Sequence, residues 1–118
     1  MKLPIIVVEP GDIAIFETIA DAESYLESPD VLANRYVAYD SEGRLLRLVA
    51  VKPNRISEGG LISVGPVRVF DTESNHVDEL RRVLIAFLTR LGELETDLSR
   101  LSLGALLEKS IGRLGYTH

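Results

Sequence analysis

Cysteine is absent from this chain of 118 residues, and histidine occurs only twice. Without cysteine there is no disulfide, no thiol nucleophile and no thiolate-bound zinc. A histidine-rich metal centre needs more imidazoles than the chain contains. His76 lies near the predicted start of a helix, where we expect a capping or solvated role. These absences predict no metal, no cofactor and a reducing, cytoplasmic setting.

Long apolar runs are also missing. The first apolar run, Ile5–Val8, is bounded by Pro4 and Glu9. A signal peptide requires a longer apolar core and a small-residue cleavage site, and a helix that spans a bilayer requires about 20 apolar residues. We therefore expect no contact with a membrane. The pI near 5.0 and the lack of basic residues interleaved with aromatic ones disfavour nucleic acid as a partner.

The acidic residues, in contrast, are numerous and unevenly placed. Segment 9–42 contains nine acidic residues and one basic residue, Arg35, although the whole chain has a net charge of only −5. A folded domain with one strongly negative side attracts basic partners and repels nucleic acid and anionic membranes. The length and the hydrophobic content of 46% predict a single globular domain that covers residues 1–118.

The order of the predicted elements favours an α+β fold. The predicted strands are Ile5–Val8, Ile13–Phe16, Tyr36–Asp40, Leu45–Val51 and Leu61–Phe70. The predicted helices run from Thr18 to about Glu27, from Ser74 or Asn75 to Leu91, and from Ser102 to Leu114. Strands in a run followed by helices predict an antiparallel sheet of about five strands with helices packed mainly on one face. Pro66 places the last strand at an edge or at a bulge.

Several local signals support these elements. Thr18 and Ser102 stand at helix starts as N-cap residues. Ser28-Pro29-Asp30 is expected to end the first helix, because the residue before a proline avoids helical geometry. The turn Asp40–Arg44 places Gly43 at the left-handed position of a G1 bulge. The apolar stripe of the helix that ends at Leu91 is wide, so either the sheet and the last helix or a second subunit should cover it.

No group of residues matches an active site. Glu23 and Glu27 lie four positions apart on the outer face of a helix, so both are solvated and unsuited to acid–base catalysis. The Asp40-x-Glu42-Gly43 fragment lacks the acidic ladder of a calcium loop, and turn chemistry explains it. The basic, glycine-containing loop 52–60 is the one place where an anion would bind, but it matches no phosphate-binding motif. An enzyme or small-ligand domain built around the sheet, which only this loop suggests, is therefore a third hypothesis.

One stretch of the chain resembles a known family. Phe16 precedes an acidic helix, and the fragments Tyr25-Leu26-Glu27, Asp30-Val31 and Tyr36-Val37-Ala38-Tyr39-Asp40-x-x-Gly43-Arg44-x-Leu46 follow. This pattern, which is clearest in the first 50 residues, resembles small bacterial immunity proteins, the antitoxin-like partners of polymorphic toxins. The resemblance implies a non-enzymatic cytoplasmic protein that occludes the active site of a toxin or blocks its assembly. Many such toxins are nucleases with basic clefts, and an acidic face matches such a cleft.

Charge and predicted exposure select the partner-binding residues. The predicted set is Glu17, Asp21, Glu23, Tyr25, Glu27, Asp30, Tyr39, Asp40 and Glu42, with Tyr25 or Tyr39 as an apolar anchor. Tyr36 and Tyr39 have opposite parity on one strand, so one ring should enter the core while the other lies beside Asp40 and Glu42. The alternative is that both tyrosines serve only as good strand formers. The alternative function is a small, acidic, secretion-chaperone-like homodimer that wraps an effector segment, which the wide apolar stripe suggests.

Overall fold

A computed structural model describes residues 1–51 and 66–118. The strands are β1 (Ile5–Glu9), β2 (Asp12–Phe16), β3 (Val37–Tyr39), β4 (Leu45–Ala50) and β5 (Val67–Phe70). The helices are α1 (Ile19–Tyr25), α2 (Ser28–Leu32), α3 (Val77–Arg90), α4 (Glu95–Leu98) and α5 (Leu103–Leu114). The predicted basic loop 52–60 and the predicted strand start at 61–65 lie outside the described residues. Within the described ranges, no helix has the length and apolarity needed to cross a membrane.

The strands form one antiparallel sheet in the order β2-β1-β3-β4-β5. The predicted α+β class and the antiparallel sheet of five strands are thereby confirmed. Pro10 and Gly11 connect β1 to β2, and Gly11 has a φ of +79°, which suits the third position of a type II turn. Strand β5 lies at one edge of the sheet, as the position of Pro66 predicted.

Helices cover both faces of the sheet, because alternate strand residues enter two separate cores. On one face, Ile6, Ile15 and Tyr39 pack with buried leucines of α3, α4 and α5. On the other face, Ile5 and Phe16 pack in a core that includes Ala22 of α1. The larger helical group lies on one face, as predicted. The short helices α1 and α2 cover the opposite face, which the sequence pattern did not predict.

The wide apolar stripe of α3 has an explanation within the chain. Leu80, Leu84 and Leu88 are fully buried in the core that α3 shares with the sheet and α5. Val83 and Ile85, which widen the stripe, are half-buried against the same core. The sheet and the following helices therefore account for the pattern, and the stripe gives no separate support for a homodimer.

The segment after α1 differs from the predicted loop. Helix α1 ends at Tyr25, and Ser28-Pro29-Asp30 begins the short helix α2 instead of ending a helix. Proline suits the first turn of a helix, because its missing N–H needs no partner there and its φ is already helical. The predicted cap at Thr18 is confirmed, since its Oγ1 accepts a hydrogen bond of 3.1 Å from the backbone N–H of Asp21.

The C-terminal segment packs against the edge of β2. The predicted cap at Ser102 is confirmed by a 3.2 Å hydrogen bond from the backbone N–H of Ala105. After Gly115, the backbone N–H of Thr117 donates to the carbonyl of Ile15 in β2 over 2.7 Å. The end of the chain thus satisfies an outward-facing carbonyl group of this edge strand.

The β3–β4 hairpin turn docks onto the start of α3. Gly43 has the predicted left-handed conformation, with a φ of +85°. Its carbonyl accepts a hydrogen bond of 2.7 Å from the His76 N–H, and the Leu45 N–H donates to the Ser74 carbonyl over 2.9 Å. A Cβ atom on Gly43 would lie 2.7 Å from the Cα of Val77. Close approach, as well as backbone geometry, therefore requires glycine here.

We predict that Gly43→Ala destabilises the protein more than Gly11→Ala. Both glycines have positive φ, so each alanine introduces about 1–2 kcal/mol of backbone strain. Only the methyl group at position 43 meets a neighbouring backbone, at Val77, and this overpacking adds about 1–3 kcal/mol. Urea unfolding of the two variants measures the difference. Equal losses of stability would contradict the close approach.

Candidate protein-binding surface

Within the acidic segment, four carboxylates gather around two tyrosine rings. The acidic-tyrosine surface, as we name it, consists of Glu9, Asp12, Tyr25, Glu27, Asp30 and Tyr36. Only Tyr25, Glu27 and Asp30 of this group belong to the predicted partner-binding set. Glu9 and Asp12 precede and follow the β1–β2 turn, and their position near the tyrosines depends on tertiary structure.

The two tyrosine rings lie beside a buried phenylalanine. The Tyr25 ring centroid is 5.1 Å from that of Phe16 and 6.5 Å from that of Tyr36, and both pairs are tilted. Such aromatic pairs contribute about 0.5–1.5 kcal/mol beyond the burial of area. Phe16 is fully buried, whereas Tyr25 remains 36% exposed. A buried neighbour therefore holds the Tyr25 ring while part of that ring stays accessible to a partner.

The pKa values of both tyrosine hydroxyls are raised, in part by the nearby carboxylates. A hydrogen bond from the Tyr25 hydroxyl to Glu9 raises the pKa of Tyr25, and burial and the charges of Glu9 and Asp12 raise it further. Burial raises the pKa of Tyr36, with added contributions from the charges of Asp30, Glu9 and Glu27, while a hydrogen bond to the Glu27 backbone acts in the opposite direction. The charges raise both pKa values because a tyrosinate anion would face nearby carboxylates.

Three local structures bring these residues together. The β1–β2 turn presents Glu9 and Asp12, and Tyr25 is the last residue of α1. Glu27 is the N-cap residue of α2, and Asp30 lies in the first turn of that helix. Helix α2, which the sequence pattern did not predict, therefore places two carboxylates near Tyr36.

One basic residue is paired with this surface. The Arg35 Nε lies 3.7 Å from Asp30 Oδ1, and both side chains are at least partly exposed. An exposed pair of this kind contributes about 0–1 kcal/mol. Among the residues in ranges 1–51 and 66–118, no other cation lies within 4.0 Å of a carboxylate of the surface. Negative charge therefore remains in excess there.

Tyr39 was predicted as an exposed anchor, and this prediction is wrong. Tyr39 is only 1% exposed and packs in the core that faces α3. Its hydroxyl donates a hydrogen bond to Glu79. The opposite parity correctly predicted that Tyr36 and Tyr39 lie on opposite faces of the sheet. Tyr39 is the core residue, and Tyr36 is the ring that lies near Asp30 and Glu27.

Asp40 was also predicted at the binding surface, and its burial contradicts this. Asp40 is 1% exposed. Its Oδ1 accepts hydrogen bonds from the backbone N–H groups of Glu42 at 2.9 Å and Arg44 at 3.0 Å, and its Oδ2 accepts one from Lys2 at 3.2 Å. A buried carboxylate with three backbone donors is satisfied inside the fold. Asp40 therefore holds the hairpin turn and is not available to a partner.

Glu23 covers the edge of the sheet. Its Oε2 accepts a hydrogen bond of 2.8 Å from the backbone N–H of Val69 in β5, and its Oε1 lies 3.9 Å from Arg68. An edge strand with unpaired N–H groups is a template for aggregation, and a charged side chain on that edge prevents pairing with another chain. Glu23 is half-buried in this role, so its charge is less accessible than predicted.

The remaining acidic residues of the predicted set lie outside the acidic-tyrosine surface. Glu17 is exposed directly after β2. Asp21 lies 3.8 Å from the His118 ring, and Glu42 lies 4.0 Å from the Lys2 ammonium group. These three carboxylates add to the negative field of segment 9–42 without contacting the two tyrosines.

His76 is the N-cap residue of α3, directly after the predicted cap residues Ser74 and Asn75, and its side chain makes no capping hydrogen bond. The ring instead contacts Ser74 and Glu79. Asn75 supplies the side-chain cap, because its Oδ1 accepts a hydrogen bond of 3.0 Å from the Val77 N–H. The short spacing Ser-x-His-x-x-Glu was present in the sequence, but it matches no known motif, and only the structure shows that the three side chains meet.

Comparison with known proteins gives no match. No family model matches the chain, and neither the curated proteins nor the solved structures include a match to it. The resemblance to immunity proteins therefore stays a prediction from the sequence pattern. The acidic-tyrosine surface is a candidate binding surface because of its geometry and charge.

We predict that Asp40→Ala destabilises the protein by about 3 kcal/mol. The substitution leaves three part-buried backbone N–H groups without their acceptor, and we take the lower end of the range of about 1–3 kcal/mol for each such group. Glu42→Ala, in the same turn but exposed, is the matched control and should change stability by less than about 0.5 kcal/mol. Urea denaturation compares the two. Equal stability of both variants would contradict the buried role of Asp40.

We also predict that stability falls in alkaline solution as the phenols ionise. The pKa values of Tyr25, Tyr36 and Tyr39 are all raised in the folded protein. The fold therefore prefers the protonated phenols, so their contribution is complete below about pH 10, the ordinary tyrosine pKa, and decreases above it. Tyrosinate absorbance and urea unfolding against pH measure both effects. Tyr25→Phe should reduce the alkaline loss, and an unchanged loss would contradict the assignment.

Proposed function

We propose that this chain is a cytoplasmic protein-binding module, and specifically an immunity-like protein that neutralises a basic toxin through the acidic-tyrosine surface. The observation that carries the proposal is the arrangement of four carboxylates around two tyrosine rings, where Arg35 is the one base among the described residues that pairs with any of these carboxylates. The proposed function needs no catalytic step, metal or cofactor. It rests on surface chemistry together with the pattern in the first 50 residues.

Charge complementarity supports a basic partner. Clustered charges of one sign raise the local concentration of an oppositely charged partner and increase the association rate by 10- to 1,000-fold. Glu9, Asp12, Glu27 and Asp30 provide such a cluster at one end of β1 and β2. The active-site clefts of many nucleases are basic because they bind phosphates, and such a cleft is a suitable target for this surface.

The tyrosines support a protein partner over a small cation. Tyrosine is enriched at interface hot spots, because its ring contributes a large apolar contact and its hydroxyl remains polar. The Tyr25 ring packs on Phe16, and its hydroxyl is bonded to Glu9. Little side-chain entropy is then lost when a partner binds, which favours affinity. Arginine side chains are suitable contacts, since they pair with carboxylates and stack on aromatic rings.

We propose a contact set that differs from the one predicted from the sequence. Tyr25, Glu27 and Asp30 belong to both sets, and Glu9, Asp12 and Tyr36 are added. Glu17, Asp21 and Glu42 contribute long-range attraction, whereas Glu23 is assigned to edge protection. Tyr39 and Asp40 leave the set because both are buried. The acidic-tyrosine surface is therefore the part of the acidic segment on which mutagenesis should concentrate.

We predict that the double substitution Asp12→Lys/Glu27→Lys slows association with a basic toxin domain by about tenfold at low salt. The probe is a basic toxin domain identified in a reading frame next to the gene for this chain, with binding followed by stopped-flow fluorescence. The effect should shrink as added salt screens the charges. In cells that express the toxin domain, co-expression of the unmodified chain should prevent growth arrest, and the double variant should protect less.

The matched control is Glu95→Lys/Glu108→Lys, which makes the same change of charge at exposed residues of α4 and α5. This control should associate at nearly the unmodified rate, because its charges lie on other elements. If both double variants slow association equally, net charge rather than the acidic-tyrosine surface controls binding. If the unmodified chain neither binds the toxin domain nor protects cells, the proposed function is wrong.

A further inference from the structure

Three side chains before and within the first turn of α3 form a hydrogen-bonded relay. The Ser74 Oγ lies 2.6 Å from His76 Nε2, and His76 Nδ1 lies 2.9 Å from Glu79 Oε2. A hydroxyl, an imidazole and a carboxylate in this order are the parts of a serine nucleophile, its general base and the group that orients the base. The relay residues are separate from the acidic-tyrosine surface.

The hydrogen bonds fix the tautomer of His76. An ionised carboxylate can only accept a hydrogen bond, so the proton of the neutral imidazole lies on Nδ1, which faces Glu79. The Nε2 atom then has a free lone pair directed at Ser74 and accepts the Ser74 hydroxyl proton. This is the tautomer that a general base requires in order to take a proton from serine.

A buried tyrosine holds the carboxylate. The Tyr39 hydroxyl donates to Glu79 Oε1, the oxygen that His76 does not use. This hydrogen bond lowers the pKa of Glu79, and the bond to His76 lowers it further. Glu79 is therefore ionised at neutral pH and positioned from the core, because Tyr39 itself is only 1% exposed.

The backbone around Ser74 is also held in place. Its N–H donates to the Thr72 hydroxyl over 3.2 Å, and its carbonyl accepts from the Leu45 N–H over 2.9 Å. The His76 N–H donates to Gly43 over 2.7 Å. The β3–β4 hairpin therefore fixes the nucleophile and the base relative to each other, which reduces the reorganisation needed for reaction.

A small substrate has room beside the relay. A shallow pocket of about 250 Å³ is lined by Asn75, His76, Val77, Asp78, Glu79 and Arg82, and Ser74 is exposed. The backbone N–H groups at the start of a helix have no acceptor within the helix. Asp78 and Glu79 line this pocket, and we assign their backbone N–H groups as the donors for an oxygen that gains negative charge. The volume suits an ester with a short acyl chain.

We propose that Ser74 is a catalytic nucleophile toward activated short-chain carboxylic esters, with His76 as the general base and Glu79 as a positioning residue. Ser74 Oγ forms a bond to the ester carbonyl carbon while its proton moves to His76 Nε2. The bond between this carbon and the leaving oxygen then breaks, and the leaving oxygen takes the proton. A water molecule then loses a proton to His76 Nε2 and forms a bond to the acyl carbon. The bond between this carbon and Ser74 Oγ breaks, Ser74 Oγ takes the proton from His76, and a carboxylic acid is released.

The test uses the full chain and 4-nitrophenyl acetate. We expect release of 4-nitrophenol and, in quenched samples, one acetyl group on Ser74 by peptide mass spectrometry. Ser74→Ala should abolish the acetylated peptide and reduce the rate by about 100-fold, the lower range for general-base assistance. Glu79→Gln should reduce the rate by at least about tenfold and change its pH dependence, which a loss of stability alone would not do.

Two controls separate this proposal from nonspecific hydrolysis. Ser99 is also exposed, but its hydroxyl donates to the Thr96 carbonyl, so Ser99→Ala should keep the full rate. A solvent-exposed imidazole can itself hydrolyse 4-nitrophenyl acetate, and His118 is such a group. Because the proposal assigns the reaction to Ser74, His118→Ala should also keep the full rate. Absence of an acetyl group on Ser74, or an unchanged rate in folded Ser74→Ala, would overturn the proposal and leave the proposed toxin binding unaffected.

Discussion

The buried carboxylate of Asp40 is the interaction on which most of this structure depends. Its three backbone hydrogen bonds close the β3–β4 turn and attach that turn to the residues before β1. The closed turn places Gly43 against Val77 and gives the His76 N–H its acceptor. The start of α3, and with it the position of Ser74, follows from this contact. Asp40, which the charge pattern placed at the partner-binding surface, therefore has a structural role.

The sheet is protected on both faces and at both edges, which leaves its ends and loops for recognition. Helices cover the two faces. At the edges, Glu23 accepts a hydrogen bond from a backbone N–H group of β5, and the Thr117 N–H donates one to a carbonyl group of β2. Pairing of a foreign strand with this sheet is therefore disfavoured. The acidic-tyrosine surface lies at a hairpin turn and a helix junction, where charged side chains are exposed without cost to the core.

Capping and turn preferences in the sequence correctly predicted the features that depend only on neighbouring residues. The caps at Thr18 and Ser102 and the left-handed Gly43 all appear where the sequence placed them. Helix α2 was missed because Pro29 suits a helix start as well as a helix end. The burial of Tyr39 was missed because strand parity separates two faces without showing which face a helix covers. The gathering of Glu9 and Asp12 beside α1 and α2 depends on tertiary contacts that spacing alone does not contain.

The central strand has a consequence for how such a protein would diversify. Each of the five successive residues 36–40 has a different environment. Tyr36 belongs to the acidic-tyrosine surface and Val37 is exposed, whereas Ala38 and Tyr39 enter the two opposite cores and Asp40 closes the hairpin turn. Natural variation in this run would disturb several parts of the molecule at once. Under the proposed function, a lineage that adapts to a different toxin would change the β1–β2 turn and the α1–α2 junction and would keep residues 36–40.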